Sequence, residues 1–394
     1  MIRKQDIVNR AAEWGLRPET VEKDYVLGWL LAAISQNSEA RANWVFKGGT
    51  CIKKCYIETY RFSEDLDFSF LPDAAYTQEA VLAGLQEIGR RAVELCGIDI
   101  PIDDIRLDPR QNQRGQETFE GRLYYRGPLG TPTPFRIKFD ITKHEAVVDT
   151  PVERSVFHPY TDSLPDGTKV KTYSYPELLA EKTRALFERS RPRDLYDVTF
   201  LLRNQVEQFD LSIVKNFFGT KCRSKSFEPP TATQLTDKVI NSEEIRTDWA
   251  AMLAHQLPIL PNVEEFVRQI GPLLVWLDNP ATALPEASLP AAPATKDVLV
   301  HPAGLQYWNV GVPLETIRFS GVNRLLVEFD YESSNSGYKH RIVEPYSLRQ
   351  ATTGNLLLYG WEKGATHIRA YIVPKIQNLK PTQTAFTPRF EVEF

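Results

Sequence analysis

Four cysteines, two methionines and six histidines are few for 394 residues, and what is scarce narrows the chemistry open to the chain. Cys51, Cys55, Cys96 and Cys222 fall at irregular intervals with no CxxC pair and no His close behind. That spacing excludes a disulfide framework and a zinc-finger site and leaves buried thiols. His144, His158, His255, His301, His340 and His367 are equally scattered, and none is assigned to chemistry. No apolar run approaches the roughly 18 residues that a membrane span needs, and the opening MIRKQDIVNRAAEWG is charged and amphipathic, unlike a cleaved leader. The expectation is a cytoplasmic protein without a membrane segment. A strong charge of either sign is missing too: 47 Lys and Arg against 51 Asp and Glu give a formal net charge of −4. Nucleic-acid binding would therefore need a local basic patch rather than bulk attraction.

What is abundant is core material. Hydrophobic residues make up 42% of the chain, with 20 Phe, 16 Tyr and 7 Trp, enough for several packed cores. The length exceeds what one core usually supports. Between Asn279 and Thr295 the composition turns to NPATALPEASLPAAPAT, rich in Ala and Pro, which reads as a semi-extended linker. The divisions expected are a core with N-terminal helices over 1–200, a helical subdomain over 201–278, a linker over 279–298 and a separate module over 299–394.

The chain is organised around VFKGGTCIKKCYIETYRFSEDLDFSF, Val45 to Phe70. In the strand that closes it, successive side chains point to opposite faces, so Asp65 and Asp67 share one face while Leu66, Phe68 and Phe70 share the other. Two neighbouring carboxylates repel each other, and a cation between them relieves the repulsion. Hard oxygen ligands suit Mg²⁺ (or Mn²⁺), which fills its shell with water and substrate phosphates. Gly48 and Gly49, lacking Cβ atoms, let backbone approach a ligand closely, and the N–H groups of a helix starting near Thr50 favour an anion. A nucleoside triphosphate with its metal satisfies both halves. Taken singly, the glycine pair also reads as a turn and Asp-x-Asp as a solvated edge strand.

Around this stretch, residues 1–44 read as helices, in which Lys23 and Asp24 fall on a solvated helix face, and Thr77 to Cys96 reads as another helix. Arg122–Tyr125 and Phe135–Thr142 alternate as strands about the turn-forming GPLGTPTP, and Asp140 lies on the charged face of the second. Pro176 opens a helix that carries Lys182 and Arg189, followed by RPRDLYDV with Arg193, Asp194 and Asp197. By chemistry alone Lys182 would neutralise phosphate charge, and Asp194 would position lysine, metal or substrate. Lys215, Lys221, Arg223 and Lys225 form a modest basic patch, read as solvated charge.

KGGTCIKK followed by RFSEDLDF resembles the AbiEii nucleotidyltransferase toxins, a branch of the DNA polymerase beta-like superfamily. The resemblance implies an α+β fold with a mixed sheet, and a third carboxylate, matched by Asp140, on the strand beside Asp65 and Asp67. It implies metal ligation by Asp65, Asp67 and Asp140, and nucleotide contacts from Gly48, Gly49, Thr50, Ser63, Lys182 and Arg193. Lys182 and Asp194 complete the catalytic set. The activity implied is transfer of a nucleotide from an NTP to an acceptor hydroxyl, such as a tRNA 3′ end. The implied role is a toxin in phage defence, restrained by a separately encoded antitoxin protein.

After a short helix at 313–324, strands come thickly: LLVEFDY, HRIVEPYSLRQ, NLLLYGWE, THIRAYIVPKI and RFEVEF, joined by NSG, TTGN and EKGA turns. The pattern predicts a small SH3- or Sm-like β-barrel. It resembles the WYL domain, a bacterial sensor module, with Leu356-Leu357-Leu358 where that family has its Trp-Tyr-Leu. In related modules a groove takes nucleic acid or a nucleotide; Arg341, Tyr346, Ser347, Arg349, Trp361 and Arg369 supply guanidinium forks and stacking rings here. The same residues leave two other functions open: an AMPylase-like transferase acting on protein side chains, and a non-catalytic regulator that senses nucleotide or nucleic acid.

Overall fold

The structure, a computed structural model, describes residues 1–111, 115–205, 209–293, 298–299, 314–333 and 337–394. In chain order the helices and strands of the first half are α1 (Lys4–Trp14), α2 (Pro18–Gln36), α3 (Ser38–Asn43), β1 (Trp44–Lys47), α4 (Gly48–Cys51), β2 (Asp65–Phe70), α5 (Gln78–Cys96), β3 (Arg106–Gln111), β4 (Glu117–Tyr125), β5 (Phe135–Thr142), β6 (Val152–Ser155), β7 (Lys169–Thr172) and α6 (Tyr175–Arg189). They are followed by α7 (Pro192–Arg203), α8 (Leu211–Ser224), α9 (Ala232–Ile240), α10 (Glu243–Thr247), α11 (Trp249–Leu253), α12 (Val263–Leu274), β8 (Val298–Leu299), α13 (Leu314–Val322), β9 (Leu325–Ser333), β10 (Gly337–Ala351), β11 (Leu356–Glu362), β12 (Arg369–Ile372) and β13 (Ile376–Ala385). The chain divides into two compact units, Met1–Ala12 with Leu16–Arg184 and Val206–Pro229, and Glu13–Gly15 with Ala185–Gln205 and Pro230–Phe394.

The first unit is an α+β layer built on a seven-stranded mixed sheet in the order β3-β4-β5-β2-β1-β7-β6. β2 runs parallel to β5 and β1 parallel to β7, while the remaining pairs are antiparallel. Period-two patterning decides the faces. Ile137, Phe139 and Ile141 of β5 and Leu66, Phe68 and Phe70 of β2 are buried, and Trp44 stacks on Phe70 at 4.7 Å and Phe46 on Phe68 at 5.2 Å. α5 is started by Thr77, whose side chain accepts from the Ala80 N–H, and it buries Val81, Leu85 and Ile88.

α2 differs from a surface helix, because Thr20 to Ile34 is buried on almost every side. The expectation that Lys23 and Asp24 face solvent is corrected here. Asp24 is buried and accepts from Lys54 Nζ at 2.8 Å and from the Tyr160 hydroxyl at 2.9 Å, and Lys23 reaches Glu64 at 2.7 Å. A charged residue enters a core when an opposite charge from another segment meets it there, and spacing within one helix does not reveal that partner. The same holds for Lys221, expected in a solvated patch. It is buried on α8, with Glu177 at 2.7 Å and the Ala146 carbonyl at 2.7 Å as partners. All four cysteines are buried free thiols, as their spacing predicted.

In the second unit α7, α9, α11 and α12 pack together, and a second sheet follows in the order β12-β11-β10-β9-β13, with β8 paired to β10. All of its pairings are antiparallel. α13 covers one face of this sheet over Ile317, Val327, Phe329, Val343 and Leu358. The bundle and the sheet module are tied by polar contacts: the Tyr196 hydroxyl donates to Asn323 at 2.8 Å, and buried Arg324 donates to Asn204 at 3.0 Å and pairs with Glu286 at 2.7 Å. The Ala/Pro-rich stretch lies against its own unit, with Leu284 and Ala292 buried. Asn335 and Ser336 of the NSG turn, and residues 294–297 and 300–313, lie outside the described residues.

Candidate active site

Three strands line up the charged residues of the first unit. Lys47 of β1 pairs with Asp67 of β2, Asp67 pairs with Asp140 of β5, and Asp65 pairs with Lys138. Residues directly opposed in neighbouring strands share a face, and the strands lie about 4.8 Å apart, so Lys47, Asp67 and Asp140 form a row, with Asp65 and Lys138 beside it. The structure thus brings Asp65, Asp67 and Asp140 together from separate parts of the chain.

The glycine pair closes over this row. Gly48 has φ +81°, and a Cβ on it would stand 2.1 Å from Asp67 Oδ2, so both the backbone and the neighbour demand glycine. A Cβ on Gly49 would stand 2.9 Å from the Arg61 guanidinium and 3.0 Å from Ser63 Oγ, which places both groups against the pair. Arg61 is buried; sequence reasoning quoted it within RFSEDLDF but gave it no role. Thr50 is buried, and its hydroxyl donates to the Asp65 carbonyl, joining the start of α4 to β2. A π-helical turn over Ile52–Tyr56 continues α4 and carries Lys54 to Asp24.

The electrostatics follow from the crowding. Withdrawal from water, then the Asp140 charge, pushes the Asp67 carboxyl up to about 6 against the pull of Lys47 and Lys182. Burial and Asp140 likewise raise Asp65, with Lys138 opposing. Lys47 is brought down to about 8 by burial, and it is ion-paired with Glu145. Lys138 sits 2.9 Å from Asp140 and 3.5 Å from Glu120. Lys182, almost fully buried on α6, is near enough for its charge to act on Asp67. Beneath them Glu177 accepts from the Val148 and Asp149 amides at 2.8 and 3.1 Å, holding the segment that brings Glu145 to Lys47.

Lys47 was missed as a site residue. Its signal is its place immediately before the glycine pair, at the end of β1. Among the described residues no three His, Cys, Asp or Glu side chains form a ready-made metal cluster, and Asp140 is turned to Lys138. The aspartates are nevertheless a donor set that suits a hard dication: crowded carboxylates, two of them raised in pKa by burial and by the Asp140 charge, on a rigid strand pair under a glycine backbone.

The other expected residues belong to the second unit. Asp194 is buried on α7 and takes two hydrogen bonds from Arg189, at 2.7 and 2.8 Å, and Arg193 donates to the Met252 carbonyl at 3.2 Å. On the second sheet Arg341 and Arg369 meet at Glu362, which also accepts from the Tyr371 hydroxyl. Tyr346 and Trp361 share a smaller apolar cluster on the face away from α13, with Ser347 and Arg349 buried along the same strand.

Residues 29–269 match the model of the family described as nucleotidyl transferase AbiEii toxin, type IV toxin–antitoxin system, and residues 314–381 match the WYL domain. No curated protein matches the chain. Among solved structures the chain is similar to the nucleotidyltransferase toxin MenT4 of Mycobacterium tuberculosis H37Rv, at 18% identity over 71% of this chain and 90% of that one, with a TM-score of 0.42. It is also similar to proteasome accessory factor B/C of Arthrobacter aurescens, at 9% identity over 94% of this chain and 73% of that one, with a TM-score of 0.19. No helix among the described residues is long and apolar enough to cross a membrane.

Proposed function

The chain belongs to the AbiEii nucleotidyl transferase toxin family, with a WYL domain after it, and on that premise we propose that the Lys47–Asp67–Asp140 row is where nucleotide is transferred. The family makes it a nucleotidyltransferase in a toxin–antitoxin setting, with an NTP as substrate and an antitoxin as partner. The reaction assigned to the site is attack by an acceptor hydroxyl oxygen on the α-phosphorus of the NTP. The new P–O bond forms as the bond to the β-phosphate bridging oxygen breaks, and pyrophosphate leaves.

Asp65, Asp67 and Asp140 would hold Mg²⁺, or Mn²⁺ in its place, and the metal when bound supplies charge neutralisation at the phosphates. This chain's own residues do the rest. The Gly48 and Gly49 backbone admits the phosphates, with Ser63 and Arg61 against it. Lys182 and Lys47 offset phosphate charge, Lys47 by leaving Glu145. Asp140, part-exposed on β5, receives the proton of the attacking hydroxyl. Arg193 and Asp194 keep the nucleotide-binding and catalytic roles that the family resemblance implies, and 1–200, 201–278, 279–298 and 299–394 are proposed as functional divisions of the chain.

The acceptor assigned is an RNA, with a tRNA 3′ end as the specific case, and the groove of the WYL domain is assigned a nucleic acid or nucleotide ligand. The observation that carries the transferase reading is the strand register, which opposes Asp67 to Asp140 on one side and to Lys47 on the other. Incubating the protein with cell lysate and each α-³²P-labelled NTP tests it. Labelled RNA supports the assignment, labelled protein makes it an AMPylase-like enzyme, and no label with any NTP leaves a sensing regulator.

A further inference from the structure

The face of the second sheet away from α13 is covered by the chain itself. Phe386 is buried there, its N–H donating to the Arg324 carbonyl at 2.8 Å, and Phe394 lies against Gly321 of α13. Between these anchors the segment crosses the residues read above as a ligand groove. The Phe390 ring lies 5.5 Å from Tyr346 and 6.2 Å from Trp361, and Arg389 sits over Trp361 at 4.9 Å. The Glu393 carboxylate takes a hydrogen bond from Arg349 at 2.9 Å, and the Glu393 N–H donates to the Tyr346 carbonyl at 2.8 Å.

Arg349 is the telling residue. It is 2% exposed, its guanidinium lies 4.6 Å over the Tyr359 ring, and among the described residues its Nε and Nη1 have no hydrogen-bond partner; nor has the buried Ser347 Oγ. Leaving two guanidinium nitrogens and a hydroxyl buried and unmatched is costly, and one carboxylate does not satisfy them. A phosphate, with more acceptor oxygens, would. The segment offers the groove a ring, Phe390, and an anion, Glu393, three residues apart. A base and a phosphate are the same two features in one nucleotide.

We infer that residues 387–393 are an internal stand-in for a nucleotide ligand, a strap that must lift between Phe386 and Phe394 before the phosphate of such a ligand can reach Ser347 and Arg349. The inference rests on reading the groove as a ligand site. Its chemistry admits either a free nucleotide or a nucleotide within a single strand. Both are tested on the full chain by fluorescence anisotropy, with a labelled single-stranded dodecamer in one arm and a labelled nucleoside monophosphate in the other. The arm that binds identifies the source.

Glu393→Gln and Phe390→Ala should each bind on the order of tenfold tighter than the unaltered chain, the scale of one lost charge-assisted contact. Arg349→Gln placed on Glu393→Gln should remove that gain. Hydrogen exchange should show the Arg389 and Glu393 amides exchanging faster when ligand is bound. Equal affinities across these variants, or strap amides still protected in the complex, overturn the strap and leave the groove standing. Absence of binding by either probe to every variant overturns both.

Discussion

Lys47 lies directly opposite Asp67 across the β1–β2 pair, and its ammonium is drawn to Glu145. A buried cation shared between two carboxylates is poised to change partner when phosphate arrives. Lys47→Met should lower the rate of nucleotide transfer about 100-fold, the usual scale for one lost charge-stabilising group. Lys47→Arg should keep part of the activity. Initial rates of α-³²P incorporation measure both, and an unchanged rate in Lys47→Met removes the residue from the site.

Asp67 is disfavoured as a carboxylate by burial and by Asp140. A group whose folded pKa is raised destabilises the fold at neutral pH, where it must be ionised. Asp67→Asn should therefore raise the melting temperature of the metal-free protein by a few degrees while abolishing transfer. A loss of both stability and activity would mean that Asp67 is a structural ion-pair member instead.

Gly48→Ala adds a methyl at φ +81°, 2.1 Å from Asp67 Oδ2. Left-handed backbone alone costs about 1–2 kcal/mol for a residue with a Cβ, and the collision displaces the carboxylate. Differential scanning fluorimetry should show a lower melting temperature, and transfer should fall at least as far as in Lys47→Met. Full activity with an unmoved transition would contradict the close approach.

Asp24 and Lys54, both buried, hold α2 to the π-helical turn behind the glycine pair. Removing one partner of a buried pair commonly costs about 3–5 kcal/mol, because the other charge is stranded. Asp24→Ala should lose stability on that scale in urea titration, and Asp24→Ala with Lys54→Met should recover most of it. Additive losses would show that the two residues are not coupled.

His158 is buried among Tyr25, Trp29 and Tyr160, with Asp162 Oδ1 at 3.5 Å as its nearest charge and Lys54 also acting on it. Burial holds its pKa below the ordinary value, against the pull of Asp162. The unfolded chain then binds the proton more readily, so the stability contributed is whole above about pH 6.5 and is lost as the pH falls below it. Melting temperatures between pH 7.5 and 5.5 should decline less in His158→Phe than in the unaltered chain. Parallel curves would assign the decline to other groups.

Much of the candidate site was legible because it is local. The alternation of Asp65-Leu66-Asp67-Phe68 needs only the two-residue period of a strand, and Gly48-Gly49 needs only the absence of Cβ. The strands over Arg122–Tyr125 and Phe135–Thr142, and the helix carrying Lys182, were readable for the same reason. Asp24, Lys221 and Lys47 were misjudged or passed over, since a lysine or aspartate in a helix or at a strand end has the same spacing whether it faces water or a partner. Glu393 gave no local sign that it would sit on Arg349.

Within the chain itself, residue order decided which side chains share a face, where backbone can approach a ligand and which segments are apolar enough to pack, because these depend on neighbours a few positions away. Only the tertiary structure decided that β5 lies parallel beside β2 in a register opposing Asp140 to Asp67, that buried lysines find their carboxylates, and that residues 387–393 cross the second sheet. Each of those is a pairing between distant segments, set by burial and charge in three dimensions.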